Sequence, residues 1–381
     1  MAIIWRHSVL AERHAAIGGE LEDWNGMGTA WFYDHTPERA QADYEAIRTK
    51  AGLMDVSGLK KVHLVGPDAA YVIDRTTTRN VDKIGVGRST YASMLNADGK
   101  FIDDCIIYHL NVNQWMVVHG TGAGMEQLTS VAAGKNCAIL MDDDLHDMSL
   151  QGPLSVDFLA NHIAGIRDLA YFGIIHAKLF GKNVMISRTG YTGERGYEIF
   201  VGKKDAVHVW DNILAEGEGM GIRPVQFSTL DLLRTESYLL FYPGDNSETY
   251  PFDDETCGDT IWELGLDFTV SPGKTGFIGA ENHYAAEGKE RFKIYGVRLE
   301  GTTPADEGAD LLQDGEKVGV VTFGMYSSVN KHNVGIARMP KAAATPGTKL
   351  TVRNGDGTEI ACVSEEMPFY DKDKSVRGAK G

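Results

Sequence analysis

The sequence predicts an α+β fold that ends in an all-β domain, and three observations carry that prediction. Apolar periodicity switches repeatedly between strand-like and helix-like spacing through the first three quarters of the chain. A strand, Gly-Pro, helix grammar occurs twice, at Leu64-Val-Gly-Pro67 and at Ser149-Leu-Gln-Gly-Pro153, a weak internal echo that suggests two related α+β subdomains. From Arg291 onward the texture changes to short strands separated by turns. The expected organisation is two α+β subdomains over 1–288, a β-barrel-like domain over 289–371, and a frayed tail over 372–381.

The elements follow in order. Asp23-Trp-Asn-Gly-Met-Gly28 is turn-rich and precedes the aromatic Trp31-Phe32-Tyr33. Pro37 to Lys50 has helical character, with Ala40, Tyr44 and Ile47 on one face. Lys61-Val-His-Leu-Val65 alternates as a strand, and Gly66-Pro-Asp68 opens a helix. Tyr91 to Leu95, Ile102 to Leu110 and Trp115 to Val118 read as strands, the first two joined by the hairpin turn Asn96-Ala-Asp-Gly99. The glycine run Gly120-Thr-Gly-Ala-Gly124 has Met125 where a dinucleotide fingerprint needs its third glycine, so it reads as a helix-opening turn. Asp142-Asp-Asp144, with His146 and Asp147, lacks calcium-loop spacing and reads as a solvated turn. Asp205 to Gly219 and Leu230 to Tyr238 are helical. Lys293 to Leu299, Lys317 to Thr322, Val334 to Ala337 and Lys349 to Val352 are the expected strands of the last domain.

Composition excludes several functions. With 53 acidic and 37 basic residues the formal charge is −16, which argues against nucleic-acid or anionic-membrane partners. The four cysteines, Cys105, Cys137, Cys257 and Cys362, form no C-x-x-C pair, so neither a zinc site nor a disulfide framework is expected. No apolar run reaches the length of a membrane helix, and a cytoplasmic protein without a metal is the expectation.

Two stretches carry chemistry. Arg188-Thr-Gly-Tyr-Thr-Gly-Glu-Arg-Gly-Tyr-Glu-Ile-Phe200 places glycine at 190, 193 and 196 between two apolar runs. Strand, tight loop, strand is the expectation, with glycine letting another molecule approach the backbone. Tyrosine and carboxylate on such a loop suit a flat, hydrogen-bonding heterocycle, while a plain glycine hairpin fits the spacing equally well. Asn96 to Tyr108 carries the adjacent carboxylates Asp103 and Asp104 on an apolar strand. Neighbours on a strand face opposite ways, so one can meet solvent while the other enters a cleft, where burial raises its pKa. No G-x-S-x-G, H-E-x-x-H or P-loop is present.

Six segments together resemble the glycine-cleavage T-protein (aminomethyltransferase) family of tetrahydrofolate-dependent one-carbon transferases. They are Asp23-Trp-Asn-Gly26, Arg48-Thr-Lys-Ala-Gly-Leu-Met-Asp-Val-Ser57, Met94-Leu-Asn-Ala-Asp-Gly99 with Asp103-Asp104, Leu150-Gln-Gly-Pro153, Arg188 to Glu198, and Met367-Pro-Phe369. The resemblance implies three domains in a clover-like ring with tetrahydrofolate in the central hole. It implies Glu198 on the pterin, with Tyr191 and Tyr197 shaping that wall, and Asp104 as the catalytic carboxylate beside the folate N5.

The chain also departs from the family pattern. Gly58 follows Ser57 where the family has histidine, Val118-His-Gly120 replaces Val-Asn-Ala near the pterin, and the family's arginine before Asp-Ser-Leu-Arg falls near Leu230. Asn246 to Cys257 has its own text, in a region where substrate choice is expected to differ. These departures favour a demethylase that moves a methyl group from a sulfonium, quaternary amine or aryl ether to tetrahydrofolate, as a dimethylsulfoniopropionate demethylase does. Trp31, Tyr33 and Tyr242 are candidate walls for a cationic donor; Trp24, Phe32 and Trp262 are further aromatics of that kind. The alternatives are aminomethyl transfer from a lipoyl carrier protein and a non-catalytic folate-binding role. For the last, the relevant cysteine motif is absent at Lys274-Thr-Gly-Phe-Ile-Gly279.

Overall fold

The structure, a computed structural model, describes residues 4–251 and 257–379. Its first sheet is five-stranded and antiparallel, in the order Arg88–Leu95, Phe101–Asn111, Gln114–His119, Lys60–Val65 and Ala138–Met141. Val62, Leu64, Cys105, Ile107 and Val117 bury one face of it under the Ala69–Thr76 and Gly124–Ala132 helices, which supply Val72, Ile73 and Leu128. The helix-opening turn expected at 120–124 is present. Alternation along each strand produces this face, and each fully buried aliphatic side chain contributes about 1.5–3 kcal/mol.

The second sheet has six strands in the order Ile174–Leu179, Lys182–Ser187, Gly196–Gly202, Leu145–Gln151, Gly52–Asp55 and Arg223–Pro224. Helices Ser155–Ala160 and Lys203–Gly217 pack on it through Phe158, Leu159, Val209, Trp210 and Ile213. The Gly-Pro echo is structural. Gly66 and Gly152 have φ of +140° and +126°, and a Cβ would lie 2.3 Å from the Asn136 carbonyl oxygen and 2.5 Å from that of Lys50. Only glycine lets each strand turn this closely into its helix.

The two sheets meet through their helix-free faces, where Tyr108, Met116 and Val118 pack against Met185 and Phe200. The third unit is a closed six-stranded barrel ordered Phe292–Leu299, His332–Pro340, Glu316–Ser327, Ala309–Gln313, Lys349–Arg353 and Glu359–Glu365. Two of these strands, Ala309–Gln313 and Glu359–Glu365, are not among those expected from sequence. The Pro37–Thr49 and Thr229–Ser237 helices bridge the units. Arg48 pairs with Glu236 at 2.7 Å and Glu194 at 3.0 Å, Arg234 with Asp245 at 2.5 Å, and the Ser327 hydroxyl donates to Glu236 at 2.6 Å. These side chains are buried, that of Arg48 being 5% exposed, so each charge depends on its partner.

Two expectations are corrected. The described part of the tail, 372–379, is folded back rather than frayed: Arg188 donates to the carbonyls of Arg377 and Ala379. In the acidic stretch only 142–144 form the turn. His146 and Asp147 lie buried on the next strand: Asp147 is on the side of Ser149, toward the seam with the first sheet, and His146, on the opposite side, accepts from the Val9 amide at 3.0 Å. Residues 252–256 of the chain's own segment lie outside the described residues.

Candidate functional site

A cavity of about 430 Å³ opens at the seam between the two helix-free faces. Tyr91, Asp104, Ile106 and Tyr108 reach it from the first sheet; Ser149, Thr189, Tyr191 and Glu198 reach it from the second. Phe227, Leu230, Tyr238 and Tyr242 come from the segment that leads to the barrel, and Lys374 and Arg377 come from the tail. Its size and largely apolar walls with a few polar groups are those of a small-molecule site.

Asp104 faces the cavity, and the Tyr91 hydroxyl donates to its Oδ2 at 2.5 Å. Burial pushes the Asp104 carboxyl up to about 7, with Asp103 adding to the rise and the Tyr91 bond opposing it. Asp103 points to the other face, as alternation requires, but it does not meet solvent. The Gly124–Ala132 helix covers it: Oδ2 accepts from the Gly124 amide at 3.0 Å and contacts His119 Nδ1 at 2.8 Å, and Oδ1 accepts from the Asp104 amide at 3.0 Å. The expectation of a solvent-facing partner is therefore replaced by one anchored at a helix N-terminus, where the dipole favours a carboxylate.

Glu198 stands on the opposing sheet. It accepts from the Tyr108 hydroxyl at 3.2 Å and from the Thr189 hydroxyl. Burial raises its pKa, and these two bonds work against the rise. Asp147, two residues before Ser149 on the neighbouring strand, is fully buried, and neither of its oxygens has a hydrogen-bond partner among the described residues. Burial and then Glu198 push it well up. Lys61, whose Nζ donates to the Ser57 and Leu59 carbonyls at 2.6 and 2.9 Å, is lowered to about 8 by burial. The seam thus holds an acidic interior with the Lys61 ammonium beside it.

The other expected site residues divide. Tyr191 and Tyr242 line the cavity; the Tyr191 hydroxyl donates to the Leu239 carbonyl at 3.1 Å and to that of Leu240. Tyr197 does not line it. One residue before Glu198 on the same strand, it turns to the helix-covered face and sits fully buried, with its hydroxyl 3.2 Å from Arg195 Nε. Trp31 packs on Phe227 at 4.7 Å between ring centroids, and the Tyr33 hydroxyl lies 2.8 Å from His14 Nδ1. Neither lines the cavity: Trp31 stands behind Phe227, which does line it, and Tyr33 is turned toward His14. Of the further aromatics, Trp24 lines the cavity.

The glycines of the 188–200 loop also have a different use. A Cβ at Gly190 or Gly196 would lie 2.1 or 2.0 Å from the Gln151 amide oxygen, and one at Gly193 would lie 1.9 Å from Ser237 Oγ. The glycines clasp the protein's own side chains and so fix the loop that carries Tyr191 and Glu198. Glu194, expected as a turn residue, is buried in an ion pair with Arg48 and accepts from Tyr370 at 2.7 Å. Sequence reading missed Tyr108, although its i+4 spacing from Asp104 on one strand places both on the same face.

Comparison with known proteins is consistent along the chain. The GCVT N-terminal domain matches residues 10–274, and the glycine cleavage T-protein C-terminal barrel domain matches 293–371. The chain is 56% identical over 386 residues to the heme-dependent oxidative N-demethylase gamma subunit of Ectopseudomonas mendocina, covering all of both proteins. It is 30% identical to the aminomethyltransferase of Halothermothrix orenii, over 90% of this chain and 94% of that one. The aminomethyltransferase T of Bartonella henselae superposes with a TM-score of 0.84 at 24% identity, over 96% of this chain and 98% of that one. The two-sheet seam, the closed barrel and these full-length matches together make the chain a member of the glycine cleavage T-protein family of one-carbon transferases.

Proposed function

We propose that this protein places a one-carbon unit from an N-methylated amine onto tetrahydrofolate, working as one subunit of a demethylating assembly. The observation that carries the reading is that Asp104 and Glu198 reach one apolar cavity from two different sheets. The residues suit a pterin by chemistry: Glu198 accepts N–H donors, Tyr191 and Leu230 offer flat apolar contact, and Asp104 is a second acid set apart from the first. Tetrahydrofolate supplies the secondary amine that accepts the carbon.

Within this reading each side chain has one task. Glu198, steadied by Tyr108 and Thr189, orients the heterocycle. Ionised Asp104 stabilises positive charge as it develops on the acceptor amine, and Tyr91 holds that carboxylate in place. The surrounding apolar wall excludes water and strengthens both effects.

The gamma-subunit relative bears on the donor. Among sulfonium, quaternary amine and aryl ether donors, its name favours a carbon bound to nitrogen. Oxidising an N-methyl group leaves that carbon at the level of formaldehyde, which an amine takes up without further oxidation or reduction. Incubation with tetrahydrofolate and formaldehyde, or with an N-methylated amine and the partner subunits, tests the reading. The expected result is 5,10-methylenetetrahydrofolate formed faster than in the uncatalysed mixture. Turnover only with an aminomethyl-lipoyl carrier and release of ammonia would overturn it, and 5-methyltetrahydrofolate as the product would return the donor to the methyl level.

A further inference from the structure

Ser149 stands directly opposite Glu198 on the neighbouring antiparallel strand, and both side chains line the cavity. Residues paired in this way present their side chains on one face, with Cβ atoms about 4.5–5.5 Å apart. The two Glu198 oxygens are not equivalent. Tyr108 and Thr189 both donate to Oε2, and no hydrogen bond reaches Oε1 among the described residues. One carboxylate oxygen is therefore left to accept from a ligand.

The Ser149 hydroxyl has the opposite character, and Gln151 gives it that character. Gln151 lies two residues further along the same strand, with its side chain buried. Its Nε2 donates to the Thr189 carbonyl at 3.1 Å and to Ser149 Oγ at 3.0 Å, and its Oε1 accepts from the Thr192 hydroxyl at 3.1 Å. A carbonyl oxygen only accepts, so the side-chain nitrogen must face Thr189 and the amide has one orientation. Both of its hydrogens are committed, and one of them occupies a lone pair of Ser149. The Ser149 proton is donated to no protein group among the described residues. A hydroxyl that accepts from behind and lines a cavity offers its proton to whatever fills that cavity.

We propose that Ser149 reads the 4-oxo oxygen of the pterin. This rests on the tetrahydrofolate reading above. The lactam edge of a pterin is a donor, N3–H, beside an acceptor, O4. Glu198 Oε1 beside the Ser149 hydroxyl is the complement, an acceptor beside a donor. With Oε2 already engaged, the carboxylate takes N3–H through Oε1, and the acceptor next to N3–H is O4. The pair therefore selects a lactam over a 4-amino pteridine, whose N3 carries no hydrogen and whose 4-substituent is itself a donor. Gln151 does not touch the ligand; it is a positioning residue that sets the direction of the Ser149 proton.

Calorimetry with tetrahydrofolate and its 4-amino analogue tests the assignment. Ser149→Ala should weaken the tetrahydrofolate Kd about 3- to 10-fold, the scale of one neutral hydrogen bond. The Kd of the 4-amino analogue should not change, so the preference between the two ligands narrows by the same factor. Ser149→Thr keeps the hydroxyl and should keep the preference. Infrared difference spectra of tetrahydrofolate labelled with ¹³C at the 4-oxo carbon give a readout that a packing defect would not move. The bound C=O stretch should lie at lower wavenumber in the wild-type protein than in Ser149→Ala. Equal stretches in the two proteins, or equal weakening for both ligands, would overturn the proposal. A wild-type stretch as high as that of the same carbonyl in an aprotic solvent would overturn it without any variant. Failure of the wild-type protein to bind tetrahydrofolate would instead overturn the reading on which the proposal rests.

Discussion

The Tyr108 hydroxyl donates to Glu198 Oε2 at 3.2 Å across the seam between the two sheets. It is a bond between subdomains as well as a site contact, and it fixes where the acceptor carboxylate stands. Glu198→Gln keeps the shape but removes the charge. We expect its tetrahydrofolate Kd to weaken about 10- to 100-fold by calorimetry, the scale of a charge-assisted hydrogen bond at roughly 1.5–3 kcal/mol. An affinity equal to wild type would remove Glu198 from the binding site.

Asp104→Asn addresses the opposing wall. It should lose most turnover with folate affinity retained, and unchanged turnover would end the role assigned to Asp104. In the wild-type protein the rate should rise as pH passes about 7, because the carboxyl held up by burial ionises there. A flat profile between pH 6 and 8 is the contrary result.

The same shift has a consequence for stability. The folded-state pKa of Asp104 lies above its unfolded value of 3.8, so the native state binds the extra proton between about pH 4 and 7. Stability from this group is therefore present at low pH and falls as pH rises through that window. Urea denaturation should find Asp104→Asn more stable than wild type at pH 8, by up to roughly 4 kcal/mol from the size of the shift, with the difference vanishing near pH 4.

Arg48 joins three parts of the fold. It pairs with Glu194 and Glu236 and donates to the Thr192 carbonyl at 2.9 Å. Arg48→Met leaves two carboxylates buried without their cation and should cost about 3–5 kcal/mol in chemical denaturation. A loss below 1 kcal/mol would mean that water replaces the guanidinium.

Removal of 372–381 tests the folded tail. It takes away Lys374 and Arg377 from the cavity wall, the Arg377–Asp371 pair at 3.0 Å, and the carbonyls that Arg188 uses. The truncated protein should unfold more readily, by roughly 2–4 kcal/mol if two charged hydrogen bonds are lost. Stability equal to the full chain would mean that the tail is only loosely attached.

Much of this molecule is determined by local sequence. Strand alternation and the two Gly-Pro turns mark the two α+β units, since only glycine adopts the φ of positions 66 and 152. Short strands between turns mark the barrel. The alternation also separates Asp103 from Asp104, and the motif order carries the family. Only the tertiary structure decided what lies on the far side of each face. The Gly124–Ala132 helix turns Asp103 from an exposed carboxylate into the partner of His119, and the first sheet turns Glu198 into an acceptor from Tyr108. Tyr197, Trp31 and Tyr33 look alike as aromatics in sequence, yet packing takes them out of the cavity. Alternation specifies that neighbouring residues differ in direction, whereas burial and hydrogen bonding depend on residues distant in the chain that no local pattern specifies. The loop at 188–200 shows both: its glycines are visible in sequence, but the space they provide is filled by Gln151 and Ser237, which only folding brings there.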